Sequence, residues 1–170
     1  MIFLGLGSNI GDKKQHIERA LRMLSQRKVI LKRCSSFYQT EPWGIEDQEE
    51  FVNIVCEVAF EGTANSLLEL VLKIEIELGR ERLYKWGPRL IDIDLIEFHG
   101  VLMQTEHLTL PHPYYLQRDF VLIPLTELEP DWRPTGMPHI ISWYTERLGP
   151  SQIKVIAPPP SWILLPPQST

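Results

Sequence analysis

Three arginines and two aspartates lie within fifteen residues of one another, and of all the charged residues they are the best suited to chemistry: Arg80, Arg82, Arg89, Asp92 and Asp94. An arginine guanidinium donates paired hydrogen bonds whose geometry matches phosphate oxygens. Two carboxylates at alternate positions of a strand project from one face and repel each other unless a cation lies between them. Magnesium commonly binds through one or two carboxylates together with substrate phosphates. The stretch therefore predicts a site for phosphoryl transfer.

Each half of this stretch has a simpler interpretation when it is taken alone. A pair of aspartates on the exposed face of a strand is most often a solvated surface, and nearby arginines are most often surface charge. The two sets occur together here, joined by the turn sequence Trp86-Gly87-Pro88. That combination is much harder to explain by coincidence and favours the functional interpretation.

Length and charge narrow the class of protein. A chain of 170 residues is long enough for one domain with a full hydrophobic core. The net charge of −5 argues against a general nucleic-acid-binding protein, which would carry a basic surface. The chain begins with the apolar run Ile2–Leu6, without the basic segment of a signal peptide, and no apolar run reaches the ~18 residues of a membrane span. We expect a cytoplasmic protein with small-molecule partners and neither a nucleic-acid nor a membrane partner; a monomer is the simplest expectation.

The residues that position the charged stretch predict an α+β fold. Apolar residues at i, i+3, i+4 and i+7 indicate two amphipathic helices, and alternating or continuous apolar runs indicate four strands. The predicted order is strand Ile2–Leu6, helix Lys13–Arg27, strand Val29–Tyr38, strand Phe51–Phe60, helix Leu67–Leu78 and strand Leu90–Phe98. This is the order of a ferredoxin-like βαββαβ core, with an antiparallel sheet and both helices on one face. Additional C-terminal helices are predicted at Phe120–Leu128 and His139–Leu148.

Glycines and cysteines near the N-terminus suggest motifs that their spacing does not support. Gly5, Gly7 and Gly11 follow a strand, but their spacing differs from that of a dinucleotide-binding fingerprint, so we interpret them as a tight turn with close backbone approach. Cys34 and Cys56 lie in apolar runs without metal-ligand spacing. We expect them to be buried free thiols rather than a disulfide or a zinc site.

Proline marks the predicted end of the domain. Residues 1–149 are predicted to form one catalytic domain, and residues 150–170 a Pro-rich C-terminal tail. The segment Ala157-Pro158-Pro159-Pro160 cannot form a helix or a central strand. The tail is therefore expected to be extended, and either ordered through Ile156, Trp162 and Leu164–Leu165 or partly disordered.

Two polar residues remain ambiguous from their spacing alone. His112 lies between two prolines, which hold its backbone rigidly and could present its imidazole to a phosphate or a nucleotide; a turn histidine paired with backbone is an equally good interpretation. Asn53 alternates with Phe51 on a predicted strand, and an edge-strand polar residue is the simpler explanation.

Several motifs along residues 1–148 together resemble one family. The most specific is Lys85-Trp-Gly-Pro-Arg-Leu-Ile-Asp-Ile-Asp-Leu-Ile96. The others, in order, are Gly7-Ser8-Asn9, Ser36-Phe37-Tyr38-x-Thr40-x-Pro42, Phe51-x-Asn53, Glu75-x-x-x-Gly79-Arg80-x-Arg82, Leu110-Pro111-His112-Pro113 and Arg118-x-Phe120. The set is similar to that of the 6-hydroxymethyl-7,8-dihydropterin pyrophosphokinases of folate biosynthesis.

The resemblance implies a magnesium-dependent transferase that moves a pyrophosphoryl group from ATP to the pterin hydroxymethyl group and releases AMP. Asp92 and Asp94 would hold two magnesium ions. Arg80, Arg82 and Arg89 would be the catalytic residues, and the nucleotide would contact them and also Glu75, Trp86, Thr109, His112 and Arg118. A loop that carries Arg82 and Trp86 would close and exclude water.

The resemblance also implies a pterin site. The ring would stack between Phe120 and the Trp43 loop with Phe51 alongside, and its polar edge would meet Thr40 and Asn53. Pro42 and Gly44 would complete this set. Lys85 and Trp43 occupy positions where the family commonly has an arginine and an aliphatic residue.

Two other function classes remain as alternatives. One is a different magnesium-dependent enzyme that acts on nucleoside triphosphates; its products would be ADP or pyrophosphate instead of AMP. The other is a non-catalytic ferredoxin-like binding module for RNA or a small regulator, which would show no magnesium-dependent ATP binding. The acidic charge and the lack of an aromatic stripe weigh against RNA.

Overall fold

An antiparallel sheet of six strands with helices on both faces forms the centre of the molecule. The computed structural model describes residues 1–40, 49–79 and 90–163. The strands are β1 Ile2–Ser8, β2 Ile30–Cys34, β3 Phe37–Thr40, β4 Phe51–Ala59, β5 Asp92–Phe98, β6 Met103–Gln104, β7 Thr109–Leu110 and β8 Lys154–Ala157. The helices are α1 Lys13–Gln26, α2 Ala64–Glu77, α3 Asp119–Leu128 and α4 Ile141–Thr145, and a 3₁₀ turn spans Tyr115–Gln117. Within the described ranges, no helix is long and apolar enough to cross a membrane.

Strand β1 is an inner strand that joins β5 to the rest of the sheet. It pairs antiparallel with β5 on one side and with β4 on the other. The strand order is β5-β1-β4-β3-β8, and β2 also pairs with β4, which is long enough to hold both partners. The predicted combination of helices with an antiparallel sheet is therefore confirmed.

The two faces of the sheet bury different helices. One face packs alternate strand residues, such as Leu4 and Ile54, against the buried stripes of α1 and α2, which include Leu21 and Ile74. The opposite face packs Phe3, Val55 and Ile96 against α3 and α4. Both predicted helices lie on one face because their apolar stripes must meet the same set of alternating strand residues.

Several predicted boundaries are wrong in detail. The single strand expected over Val29–Tyr38 is two strands, because the Ser35 backbone and hydroxyl both bond to the backbone of Val55 and interrupt the ladder. The segment between β5 and the 3₁₀ turn, for which no element was predicted, contains a short hairpin of β6 and β7. The last helix is confined to Ile141–Thr145 instead of His139–Leu148.

The two cysteines form a disulfide, so the prediction of free thiols is wrong. Cys34 lies directly opposite Cys56 in the pairing of β2 with β4. This register brings the two Cα atoms to 4.1 Å. The sequence could not show it because 22 residues separate the two positions.

The C-terminal segment adds an outer strand to the sheet. Strand β8 pairs antiparallel with β3, with Val155 opposite Tyr38. Beyond it, the Trp162 ring lies under the guanidinium of Arg22 on α1, 4.4 Å from ring centroid to Cζ. The predicted domain boundary at residue 149 stays a prediction, and the chain beyond it contributes a strand to the same sheet.

Two polar clusters attach helix α3 to the sheet. The Glu127 carboxylate accepts hydrogen bonds from the Ser36 backbone and hydroxyl, at 2.9 and 2.8 Å, and from the Tyr38 hydroxyl. Arg33 bridges Glu57 on β4, at 2.6 Å, to the carboxylate of Glu129 at the end of α3. These contacts hold the C-terminal half of α3 over β2, β3 and β4.

The second cluster predicts an acid-dependent contribution to stability. Burial raises the pKa of Glu57, but the hydrogen bond and charge of Arg33, with the charge of Lys32, outweigh it and leave that pKa below its ordinary value of 4.5. A carboxyl group whose pKa is lowered by folding stabilises the fold above its unfolded-state pKa, and this contribution is lost as the pH falls through the folded-state pKa. We expect Glu57→Gln to reduce the free energy of unfolding at pH 7 and to make little difference in strong acid.

Urea unfolding between pH 2 and pH 7 measures this difference. The control is Glu61→Gln, which changes an exposed glutamate just after the same strand. A Glu57→Gln deficit that is equally large at all pH values would contradict the prediction.

Candidate functional site

Asp92 and Asp94 lie on the sheet face that is opposite to α1 and α2. In the pairing of β5 with β1, Asp92 lies opposite Gly7 and Asp94 lies opposite Gly5. The intervening Ile93 is buried in the core on the other face. Because glycine has no side chain, β1 places no side chain next to the two half-buried carboxylates, and the side chains of Asn53 and Ile96 lie close over Gly7 and Gly5. Paired hard oxygen donors of this kind suit magnesium together with phosphate oxygens.

Glu75 supports the aspartate strand from below. It lies on α2 with 2% of its surface exposed, and its Oε1 accepts a hydrogen bond of 2.7 Å from the backbone N–H of Ile93. The contact fixes the backbone between the two aspartates. The sequence prediction assigns Glu75 to the nucleotide, and the structure places its carboxylate at the base of the aspartate pair.

His112 and Arg118 approach the aspartates from the segment that precedes α3. The His112 backbone N–H bonds to the Ile96 carbonyl at 2.9 Å and fastens this segment to β5. The backbone N–H of Tyr114 donates to His112 Nδ1 at 3.4 Å, which leaves Nε2 as the donor of a neutral ring. Burial and, to a smaller extent, the charge of Arg118 lower the pKa of His112 to about 4, although the charge of Asp92 opposes the shift. A neutral His112 therefore lies near one cation and one anion.

Asn53 and Thr40 form a buried polar pair on the same face. Asn53 lies opposite Gly7 across the β1–β4 pair, and its side-chain amide donates to the Thr40 hydroxyl at 2.8 Å. Phe51 is opposite Thr40 in the next pair of strands and is half-buried. Asp92, Gly7 and Asn53 thus occupy one row across three strands. The structure brings these two parts of the predicted site, the aspartates and the amide, onto one surface.

Phe120 and Arg118 form the side of the site that belongs to α3. The Arg118 guanidinium lies 5.6 Å from the centroid of the Phe120 ring and 5.7 Å from that of Tyr114. Both residues line a cleft of about 410 Å³ whose wall includes Thr40. Cation–aromatic contact of this kind orients the guanidinium while leaving its N–H donors available.

Several predicted site residues lie outside the part of the chain that the structure describes: Pro42, Trp43, Gly44, Arg80, Arg82, Trp86 and Arg89. Thr109 is described and lies on β7, three positions before His112. Within the described ranges, no group of three or more histidine, cysteine or acidic side chains is arranged to hold a metal. The role of every site residue stays a prediction.

Sequence reasoning missed the role of Gly5 and Gly7. Both lie within β1, so the expectation of a tight turn there is wrong; Gly11, with a φ of 64°, is in the turn before α1. A methyl group on Gly7 would come within 2.7 Å of Asn53 Oδ1. The signal was available, because Gly5 and Gly7 are spaced two apart like Asp92 and Asp94, which is the period of one strand face. Tyr114, beside Arg118, was missed as well and has no such signal.

The surroundings of His112 predict how its imidazole titrates. In the protein without added magnesium, the pKa of His112 measured by NMR should be near 4, well below the value of 6.5 for an ordinary histidine. Arg118→Gln should raise that pKa because it removes a neighbouring positive charge, and Asp92→Asn should lower it. Since the unfolded chain binds a proton at His112 more readily, acidification from pH 6.5 toward pH 4 should favour unfolding.

The control for this titration is Arg133→Gln, which removes an exposed arginine from a turn beyond α3. A His112 pKa near 6.5, or one that Arg118→Gln leaves unchanged, would contradict the burial of this imidazole beside Arg118.

Comparison with known proteins identifies the family. Residues 3–130 match the family model of 7,8-dihydro-6-hydroxymethylpterin-pyrophosphokinase. A 2-amino-4-hydroxy-6-hydroxymethyldihydropteridine pyrophosphokinase of Methylorubrum extorquens is 44% identical over 132 residues, which cover 76% of this chain and 82% of the relative. The protein of the same name from Bacillus subtilis is 42% identical over 127 residues, covering 74% of this chain and 76% of the relative.

The fold has counterparts among solved structures. The wild-type HPPK-DHPS of Plasmodium falciparum, crystallised with pteroate, superposes with a TM-score of 0.69 at 15% identity. The match covers 86% of this chain, and the chain spans 42% of that longer protein. The family match and the two bacterial relatives decide the assignment: the chain belongs to the 7,8-dihydro-6-hydroxymethylpterin-pyrophosphokinase family, a family of transferases.

Proposed function

We propose that this chain transfers a pyrophosphoryl group from ATP to 6-hydroxymethyl-7,8-dihydropterin in folate biosynthesis. The hydroxymethyl oxygen forms a bond to the β-phosphorus, the bond from that phosphorus to the α–β bridging oxygen breaks, and AMP leaves; the hydroxyl proton passes to solvent. The observation that carries the proposal is the row of Asp92, Gly7 and Asn53, because it puts a carboxylate and an amide on one sheet face, on either side of a glycine.

The α+β core that holds this row is, we infer, ferredoxin-like. Support comes from the sheet order β5-β1-β4 followed by β2 and β3, and from the packing of α1 and α2 on one face. In this arrangement, the first and last strands of the βαββαβ unit are neighbours. Because these two strands pair, the aspartates of β5 lie beside the glycines of β1.

Asp92 and Asp94 fit the magnesium that such a reaction needs, since both offer hard oxygen donors on one face. Two magnesium ions would offset the charge of the triphosphate and stabilise the charge that shifts to the leaving AMP. Glu75 holds the aspartate strand in place through Ile93. Arg118, and by resemblance Arg80, Arg82 and Arg89, would bind phosphate oxygens, and neutral His112 would donate from Nε2.

Binding of the pterin rests on Thr40, Asn53 and the rings of Phe51 and Phe120. The buried Asn53 amide is held by Thr40, so its remaining donor and acceptor have a defined direction for the polar edge of a pterin. Flat heteroaromatic ligands are typically held between rings with a few polar groups at the rim. A cytoplasmic location and a monomeric state accompany this proposal as expectations.

The first test is product analysis. Incubation with ATP, magnesium and 6-hydroxymethyl-7,8-dihydropterin should give AMP and a diphosphorylated pterin, whereas ADP or free pyrophosphate would indicate a different enzyme. We expect Asp94→Asn to lower the rate at least about 100-fold, since the loss of a metal-binding carboxylate removes several kcal/mol of transition-state stabilisation. Asp131→Asn, which changes an exposed aspartate after α3, is the matched control. Full activity of Asp94→Asn at ordinary magnesium concentration would overturn the assignment of the metal site.

A second test substitutes the two glycines of β1. Gly7→Ala should raise the KM for the pterin about five- to tenfold, because the new methyl group displaces the Asn53 amide and weakens roughly one hydrogen bond. Gly5→Ala adds the same group to the same strand, where it meets only the flexible end of Ile96 at 3.1 Å. We expect a smaller change in the KM for the pterin there. Equal effects of the two variants would count against a role for Asn53 in pterin binding.

A further inference from the structure

A segment near the C-terminus forms one wall of the cleft that contains Thr40 and Phe120. This cleft of about 410 Å³ is lined on one side by Thr40 and the turn Gln117–Phe120, and on the other by residues Leu148–Ile153. Thr40 and Phe120 are two of the residues proposed to bind the pterin. The opposite wall lies beyond residues 3–130, the part of the chain that matches the family model.

The segment is fastened to both neighbouring elements. Strand β8, which follows it, pairs with β3, so that Lys154 lies opposite Gln39, the residue before Thr40. Ser151 donates a hydrogen bond from its hydroxyl to Asp119 Oδ2, and the Ser151 oxygen accepts one from the Ile153 backbone N–H at 3.2 Å. One stretch of chain therefore ties the end of β3 to the start of α3.

The start of α3 packs against the core through Val121 and Leu122 but has no side-chain cap. The residue at its N-cap, Arg118, makes no side-chain capping hydrogen bond. The first backbone N–H groups of a helix have no partner within the helix, and an uncapped first turn frays more readily. Asp119 is the first residue of α3 and Phe120 the second, so the bond from Ser151 acts on the turn that carries the stacking ring.

We propose that residues Leu148–Ile153 are part of the pterin site of this chain: they close its outer wall, and Ser151 is a positioning residue that holds the Arg118–Phe120 turn through Asp119. The inference rests on the proposed function for the identity of the ligand. It assigns a substrate-specific role to a segment that the family model does not cover.

The test compares Ser151→Ala with Ser161→Ala, which removes an exposed hydroxyl from the same C-terminal segment. Ser151→Ala should raise the KM for the pterin roughly three- to fivefold, as expected for the loss of one exposed hydrogen bond to a charged group. The KM for ATP, the kcat and the melting temperature should stay close to those of Ser161→Ala. Ser151→Thr, which keeps the hydroxyl, should restore pterin binding.

A second readout does not depend on catalysis. Hydrogen exchange of the amides of residues 119–122 should be faster in Ser151→Ala than in Ser161→Ala. An unchanged KM for the pterin together with unchanged hydrogen exchange overturns the proposal. A parallel loss of ATP affinity, pterin affinity and melting temperature also overturns it, because Ser151 would then have a merely structural role. If the wild-type protein forms no AMP, the proposed function fails, and exchange alone then decides whether Ser151 holds the turn.

Discussion

The pairing of β1 with both β4 and β5 is the constraint on which the candidate site depends. It sets Asp92, Gly7 and Asn53 in one row across three strands. Neighbouring strands are ~4.8 Å apart, so the backbones that carry Asp92 and Asn53 lie roughly 10 Å from each other. Because residue 7 has no side chain, the Asn53 amide lies within 2.7 Å of the position that a Cβ there would take. A larger residue at position 7 would fill the space from below.

One face of the sheet carries most of the hydrophobic core, and the other face carries the candidate site. The face toward α1 and α2 is apolar and supplies most of the buried core. Glu75 is an exception: it is a buried carboxylate on α2, and its cost is offset in part by the hydrogen bond from Ile93. The same bond stiffens β5 between Asp92 and Asp94. A buried carboxylate would weaken an ordinary hydrophobic core. Here the Glu75 carboxylate supports the positions of the two aspartates on the opposite face of the sheet.

Helix α3 is held at both ends by polar contacts. Glu127 and the bridge from Arg33 to Glu129 fasten its C-terminal half to β2, β3 and β4. Ser151 fastens its first residue, Asp119, to the outer segment. Phe120 and Arg118 therefore have a defined position relative to Thr40, although α3 is far from β3 in sequence. Polar ties of this kind specify an orientation that apolar packing alone leaves adjustable.

Local pattern determined the parts of this protein whose physical cause is local. The period of two in Asp92-Ile93-Asp94 determined which side chains share a face, and the helical spacing of Ile17, Ala20, Leu21 and Leu24 determined the stripe that α1 buries. The motifs along the chain indicated the family without any knowledge of the contacts between residues. Boundaries were less certain, because the break at Ser35 arises from a hydrogen bond to a distant strand.

Long-range contacts establish which residues of the site lie next to each other. Register placed Asn53 and Asp92 on either side of Gly7, joined Cys34 to Cys56, and brought β8 against β3. None of these pairs can be read from the local sequence. The alternation of side chains shows which face of the sheet a residue occupies, but it does not show which strand pairs with it. Local sequence therefore specifies the chemical groups and the faces of the strands and helices that they occupy. The long-range pairing of strands decided how those groups are assembled into one site.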